Sequence, residues 1–285
     1  MRALIAIASF LLTPALAMSH SFAAERQVFE VNKTDLCPKS GAKYGHHLVL
    51  LDVSTPLSVN QKALVKRFVF SEANLLNMRT GDRLTIMALK NVEPSANKPV
   101  FSKCRPRSGE PSRINPEDEY NWLKESKREI SRVFRGKFVD GVNNALADIY
   151  RPGNNGRVES PLLSQIYEIS RDVEFGLGDQ GYEFNKLTII SDLVQNSSRL
   201  PFYDECNTWN KKCPTWDSFK NSRKYRKWVS KTKPKFAQGL EVELLYLNRN
   251  YDPDLNRGIL DFWHDYFKDA GVSKISDMIG NTLGK

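Results

Sequence analysis

The chain has 285 residues, a formal net charge of +9 and 40% hydrophobic content, enough for one α/β domain with a generous core or for two small ones. No break in composition, internal repeat or low-complexity tract divides it, which favours one domain. Beyond the N-terminus no stretch approaches the roughly 18 apolar residues of a membrane span. The N-terminus itself reads Met1-Arg2, then an apolar run from Ala3 to Leu16 broken by Ser9, Thr13 and Pro14, then small residues at Ala15-Leu16-Ala17 and Ser21-Phe22-Ala23. That layout is a secretory signal peptide over residues 1–23, cleaved after Ala17 or Ala23, and it places the mature protein in the periplasm or outside the cell.

An irregular lead-in, residues 24–45, carries Cys37. Then comes His46-His47-Leu48-Val49-Leu50-Leu51-Asp52-Val53-Ser54-Thr55-Pro56, an apolar run too short for a helix that leads into a polar turn. It reads as a strand buried on both faces, with Asp52 and Ser54 emerging beyond its carboxyl end. Helical spacing follows from Ser58, a candidate N-cap, to Met78, with a turn at Arg79-Thr80-Gly81-Asp82. Arg83–Leu89 is a second strand and Pro99–Ser102 a short antiparallel edge strand. Pro106–Asn115 is polar enough for a surface loop. A helical pattern spans Pro116 to Ile149, with Trp122 on its apolar side and acids at its start that suit the helix dipole.

Ser160-Pro161 opens another helix, to about Asp172, with Ser160 as N-cap and Pro161 at the first helical position. Gly176-Leu177-Gly178-Asp179-Gln180-Gly181 matches a dinucleotide-binding spacing, but a helix precedes it and a strand follows, the reverse of what phosphate binding needs, so it is a connecting loop. Leu187–Leu193 repeats the strand-then-acid arrangement, ending at Asp192. A long excursion holds Cys206 and Cys213, then a basic helix over Asp217–Ser230. Val242–Leu247 is a strand and Pro253–Ala270 an amphipathic helix. Val272–Ile279 fits either a last edge strand or a helical turn. Alternating strands and helices imply a mostly parallel sheet with helices on both faces.

Four cysteines without a C-x-x-C argue against a zinc ribbon or a thioredoxin-like redox site, and in an oxidising compartment they read as disulfides. Three pairings are open. A local Cys206–Cys213 bridge is the economical choice, leaving Cys37 to Cys104.

Asp52, Ser54 and Asp192 at neighbouring strand ends would supply hard oxygen ligands of the kind magnesium takes; each Asp is equally a turn former after a strand. The strand ending in Asp52-Val53-Ser54, the helix after it, Ser160 opening a later helix and the second strand ending in Asp192 together resemble a von Willebrand factor A domain, over roughly Lys43 to Ala270. The resemblance implies a central sheet with a short antiparallel edge strand and a metal-ion-dependent adhesion site in which Asp52 and Ser54 match the first motif positions, Ser160 takes the Thr position and Asp192 the third-loop Asp. The sequence departs from the motif at Pro56, which stands where the family has a ligating serine; Thr55 and Ser58 are the nearby oxygens. The same resemblance supports Cys37–Cys104 and Cys206–Cys213. It implies domain residues 46–285, with a disulfide-stapled loop and basic helix inserted at about 194–238.

The function expected from this is protein recognition without catalysis, with Mg held by Asp52, Ser54, Ser160 and Asp192 and completed by an acidic group of a protein partner. A second reading uses the basic segment from Lys220 through Arg223, Lys224, Arg226 and Lys227 to Lys235 to bind a polyanion or anionic membrane surface. A metal-dependent hydrolase is a third, disfavoured because Ser54 stands where a second Asp is usual and because His46, His47 and His264 are not placed as bases for a nucleophile.

Overall fold

The computed structural model describes residues 30–90, 93–151, 159–173, 176–197, 200–201, 213–248 and 253–280; the expected signal peptide and Cys206 lie outside them. Its centre is a six-stranded sheet in the order β3-β2-β1-β4-β7-β8. The strands are β1 (Gly45–Asp52), β2 (Arg83–Leu89), β3 (Pro99–Cys104), β4 (Phe184–Ser191), β7 (Glu241–Leu247) and β8 (Lys274–Gly280), while β5 (Asn196–Ser197) and β6 (Leu200–Pro201) form a separate small hairpin. Every neighbouring pair is parallel except β2 with β3. The α/β architecture with one antiparallel edge strand is the one the pattern of strands and helices implied, and the ambiguous tail proves to be the parallel edge strand β8.

The central strands are apolar on both sides because helices cover both sides. Leu48, Leu50, Leu187, Ile189 and Leu244 enter one core, and Val49, Leu51, Ile190 and Leu245 enter the other. The second core receives α1 (Val59–Phe68), α2 (Glu72–Leu76), α3 (Lys127–Val133), a π-helical turn (Phe134–Val139) and α4 (Asp140–Ile149). The first receives α5 (Leu162–Arg171), α6 (Trp216–Asn221), α7 (Arg226–Val229) and α8 (Pro253–Asp269). The β1-to-β2 connection therefore crosses one face and the β4-to-β7 connection the other. In an open sheet the crevice at such a reversal, outside the carboxyl ends of the two diverging strands, is where ligands collect. Here those strands are β1 and β4.

Three helical expectations are corrected. The single helix from Ser58 to Met78 is two: Ser58 and Gln61 form a capping box on α1, and Ser71 then caps α2, accepting from the Asn74 N–H. The Asn74 side chain ties down the carbonyl of Phe68 at 2.6 Å, closing the end of α1. The helix expected from Pro116 starts instead at Lys127, capped by Ser126, and Pro116–Asp118 is one 3-10 turn. Third, the basic helix over Asp217–Ser230 is divided into α6 and α7, because Ser222 adopts an extended backbone between them.

The start of the second helix moved because Asp118 has a stronger partner than a helix dipole. Arg105 and Asp118, both buried, meet in a bidentate ion pair at 2.9 and 2.7 Å. Thr80 and Ser108 donate to the same carboxylate at 2.7 and 2.6 Å. Burial pushes the Asp118 carboxyl up, but the hydrogen bonds from Arg105 and Ser108 and the charge of Arg105 overcome it and hold it below the usual carboxylate range. The turn that follows is equally fixed, by the Arg107–Glu125 pair and by Asn121, whose N–H donates to Glu125 at 2.8 Å. Trp122, expected on an apolar helix face, is thereby 77% exposed, and Leu123 beside it 71%.

Cys37 and Cys104 are disulfide-bonded across 67 residues of sequence, worth about 4 kcal/mol in the chain-entropy account. The bridge and the Cys104 N–H to Asp35 carbonyl bond fasten the lead-in to β3. Cys213 is also disulfide-bonded; the Cys206 end of the expected second bridge falls outside the described residues. Among the described residues no helix is long and apolar enough to cross a membrane.

Two outcomes follow for urea denaturation. Trp122→Ser should leave stability within about 0.5 kcal/mol, as a surface change does, whereas Phe138→Ala, in the core of the π turn, should cost about 3–5 kcal/mol. Because its folded pKa is lowered, Asp118 contributes stability that is complete above the ordinary carboxylate value and lost as pH falls through the lowered one. Asp118→Asn should therefore cost about 3–5 kcal/mol at neutral pH and flatten the stability loss that the wild type shows below about pH 4.

Candidate functional site

β1 delivers Asp52 to the crevice between β1 and β4, and the residue is only 4% exposed. A buried carboxylate needs hydrogen-bond donors, and three converge on it. The Ser54 N–H donates to Oδ1 at 3.0 Å, closing a local turn after the strand. The hydroxyls of Ser160 and Ser191 donate to Oδ2 at 2.9 and 2.7 Å. The structure thus joins Asp52, Ser54 and Ser160 directly and adds Ser191, which sequence reasoning missed. The only signal for it was a hydroxyl at the inward-facing end of the run Thr188-Ile189-Ile190-Ser191.

Ser160 does not do what its sequence suggested. Pro161 occupies the N-cap place of α5 without a capping side chain, and the Leu163 N–H is met instead by Gln195 Oε1 at 2.8 Å. Ser160 is held by backbone bonding with Asn196 in both directions, which leaves its hydroxyl directed at Asp52.

Asp192 lies just past β4, 4% exposed, with Oδ1 accepting from the Val194 N–H at 3.1 Å. Its neighbour Leu193 has a left-handed backbone, φ 57°, a conformation costing a non-glycine residue roughly 1–2 kcal/mol. Two bonds impose it: the Leu193 N–H donates to Ser191 Oγ at 2.8 Å, and Trp263 Nε1 donates to the Leu193 carbonyl at 2.8 Å. One hydroxyl, that of Ser191, thus serves both Asp52 and the loop carrying Asp192.

Pro56 is exposed, and the Ser58 hydroxyl that might have replaced the missing ligand is committed to capping α1, accepting from Gln61 at 3.2 Å. The side-chain oxygens joined to Asp52 are therefore those of Ser160 and Ser191, with Ser54 in the turn after β1 and Asp192 one residue past β4. Among the described residues no group of three or more His, Cys, Asp or Glu side chains is arranged to hold a metal, so a cation here would depend on serine oxygens, two carboxylates and water. That donor set, all hard oxygen, fits magnesium in kind.

The described histidines are His46, His47 and His264. His46 and His47 begin β1, at its far end from Asp52. His46 is buried against Thr85 at 2.9 Å, and burial, with the nearby charges of Arg83 and His47, pushes it down to about 3, so it is neutral. His47 pairs with Asp82 at 3.1 Å and His264 with Asp277 at 3.2 Å. In the basic segment, Lys220 is tied to Asp269 at 2.9 Å and to Asp217 at 3.4 Å, while Arg223, Lys224, Arg226 and Lys227 are exposed.

No family model and no curated protein matches this chain.

The two serines separate by their bonding. Ser191→Ala removes a donor from buried Asp52 and the acceptor of Leu193, and should cost about 1–3 kcal/mol in chemical denaturation. Ser54→Ala keeps the backbone N–H that Asp52 uses and should cost under about 0.5 kcal/mol; equal losses would contradict the bonding described.

Proposed function

We propose that this chain is an exported, von Willebrand factor A-like module that recognises a protein partner at the crevice between β1 and β4. Asp52, Ser54, Ser160 and Asp192 would hold Mg there. When bound, the cation supplies a Lewis-acidic point that an acidic group of the partner completes. The observation that carries this reading is the bond from Ser160 to Asp52 at 2.9 Å, made between residues 108 apart in sequence. It brings the second chain segment of the proposed ligand set to the first, in the crevice where ligands collect in an open sheet.

The strand order and the single antiparallel edge strand support the same reading. So does the chemistry of the crevice, which offers oxygen donors, and serine hydroxyls that keep lone pairs after donating to Asp52. The substitution of Pro56 for a hydroxyl ligand lowers the number of protein oxygens, which makes the partner's carboxylate a larger part of the shell. Recognition is the use that this set of oxygen donors supports best.

Calorimetric titration with magnesium and manganese, together with thermal melts, tests the site. With cation at tenfold its Kd, stabilisation should reach about 1.4 kcal/mol, or a Tm rise of about 3–5 °C for a domain of this size. Asp192→Asn and Ser160→Ala should abolish the rise. Absence of both heat and Tm shift in the wild type would remove the metal from the proposal.

A further inference from the structure

The segment from Cys213 to Gly239 contains eight Lys and Arg residues against one acid, Asp217, a surplus of seven in a chain whose formal net charge is +9. Its apolar residues are turned inward. Trp216, Phe219 and Tyr225 are buried; Phe219 stacks on Tyr225 at 4.3 Å, and Trp216 meets Phe262 and Tyr266 of α8 edge-on at 5.5 and 5.0 Å. This aromatic cluster fixes α6 and α7 to the domain, and the backbone bond from Lys235 to Ser170 Oγ at 3.2 Å anchors the far end of the segment. Asp269 takes Lys220 at 2.9 Å and Lys233 at 3.7 Å, and Arg223, Lys224, Arg226 and Lys227 form an exposed cationic face.

We propose that this face adsorbs the protein to an anionic lipid surface. Three features favour lipid over nucleic acid. Single strands bind on exposed aromatic platforms, and of the aromatic residues of this segment Trp216, Phe219 and Tyr225 are buried while Trp228 and Phe236 are half-buried against the core. Recognition helices occupy the major groove, and α6 and α7 have six and four residues. Nucleic-acid strands are tracked along charged grooves, and the cavity that this segment lines with Trp216, Trp228, Thr232 and Lys233 holds about 20 Å³, too little to seat a strand. A planar leaflet of phosphates needs only an array of cations carried on a surface. Since no large hydrophobic residue of the segment is exposed, attachment is by charge, without insertion. It does not draw on the metal proposed at the crevice, none of whose ligands lies in this segment.

Co-sedimentation of the full chain with phosphatidylcholine vesicles, with and without phosphatidylglycerol, tests the proposal. Binding should require phosphatidylglycerol at about 0.1 M salt and disappear near 1 M, where the screening length contracts from about 10 to about 3 Å. Arg223→Gln with Arg226→Gln should weaken partitioning about 25-fold, roughly fivefold for each cation. Lys66→Gln with Lys137→Gln removes the same charge from exposed positions on the opposite helical layer and should change it less than about twofold. Equal binding to neutral vesicles, equal loss in the two double variants, or retention of duplex DNA with vesicles left unbound would each overturn it.

Discussion

The burial of the Asp52 carboxylate is the constraint on which the carboxyl-terminal edge of the sheet depends. A charge removed from water at the end of a central strand is tolerated only when its oxygens are met, and the chain meets them from three places: the turn after β1, Ser160 two residues before α5 and the last residue of β4. Elements far apart in sequence are thereby tied to one side chain. Ser191 extends the linkage to Leu193 and so to Trp263 of α8. Losing the carboxylate would leave two buried hydroxyls without their acceptor, and this coupling makes the edge behave as a unit.

The opposite end of the sheet is organised by a second buried charge. Arg105 and Asp118 saturate one another with help from Thr80 and Ser108, and Arg105 also donates to the carbonyls of Leu75 and Leu76. Asn115 adds bonds to Leu76 and Met78 carbonyls. A polar stretch between β3 and α3 is ordered in this way with little apolar burial, and the Cys37–Cys104 bridge fastens the lead-in over the same corner. Interactions of this kind specify position more than they add net stability, because the desolvation of both charges offsets much of their attraction.

The strands and their order of burial were legible in the sequence because an apolar run bounded by turn residues has few alternatives. Leu48–Leu51 and Leu187–Ile190 could scarcely be placed elsewhere than in a sheet covered on both sides. Asp52, Ser54 and Ser160 were legible as candidates, but the role of Ser160 was not. A serine before a proline at a helix start satisfies a local rule for capping, and only the tertiary position of Asp52 and Gln195 shows that its hydroxyl serves a remote carboxylate. Ser191 was hidden for the converse reason: within a run of strand residues its hydroxyl has no periodic signature. Asp118 and Trp122 were misjudged together, since acids before a helical pattern resemble a first turn until a buried guanidinium claims one of them. The division of the helix after Ser58 turned on the Asn74 side chain bonding to Phe68, a contact within the helix-forming pattern that periodicity does not register.

Leu193 carries a consequence for how the crevice would meet a partner. A left-handed leucine locked by a serine on one side and an indole on the other has little freedom to lose. Residues 192–195 would therefore meet the proposed partner already ordered, the entropy that a mobile loop gives up on complex formation having been surrendered during folding. Selectivity at such an edge would rest on fit: a partner whose acidic group arrived at the wrong depth would find a surface that does not reshape itself to receive it.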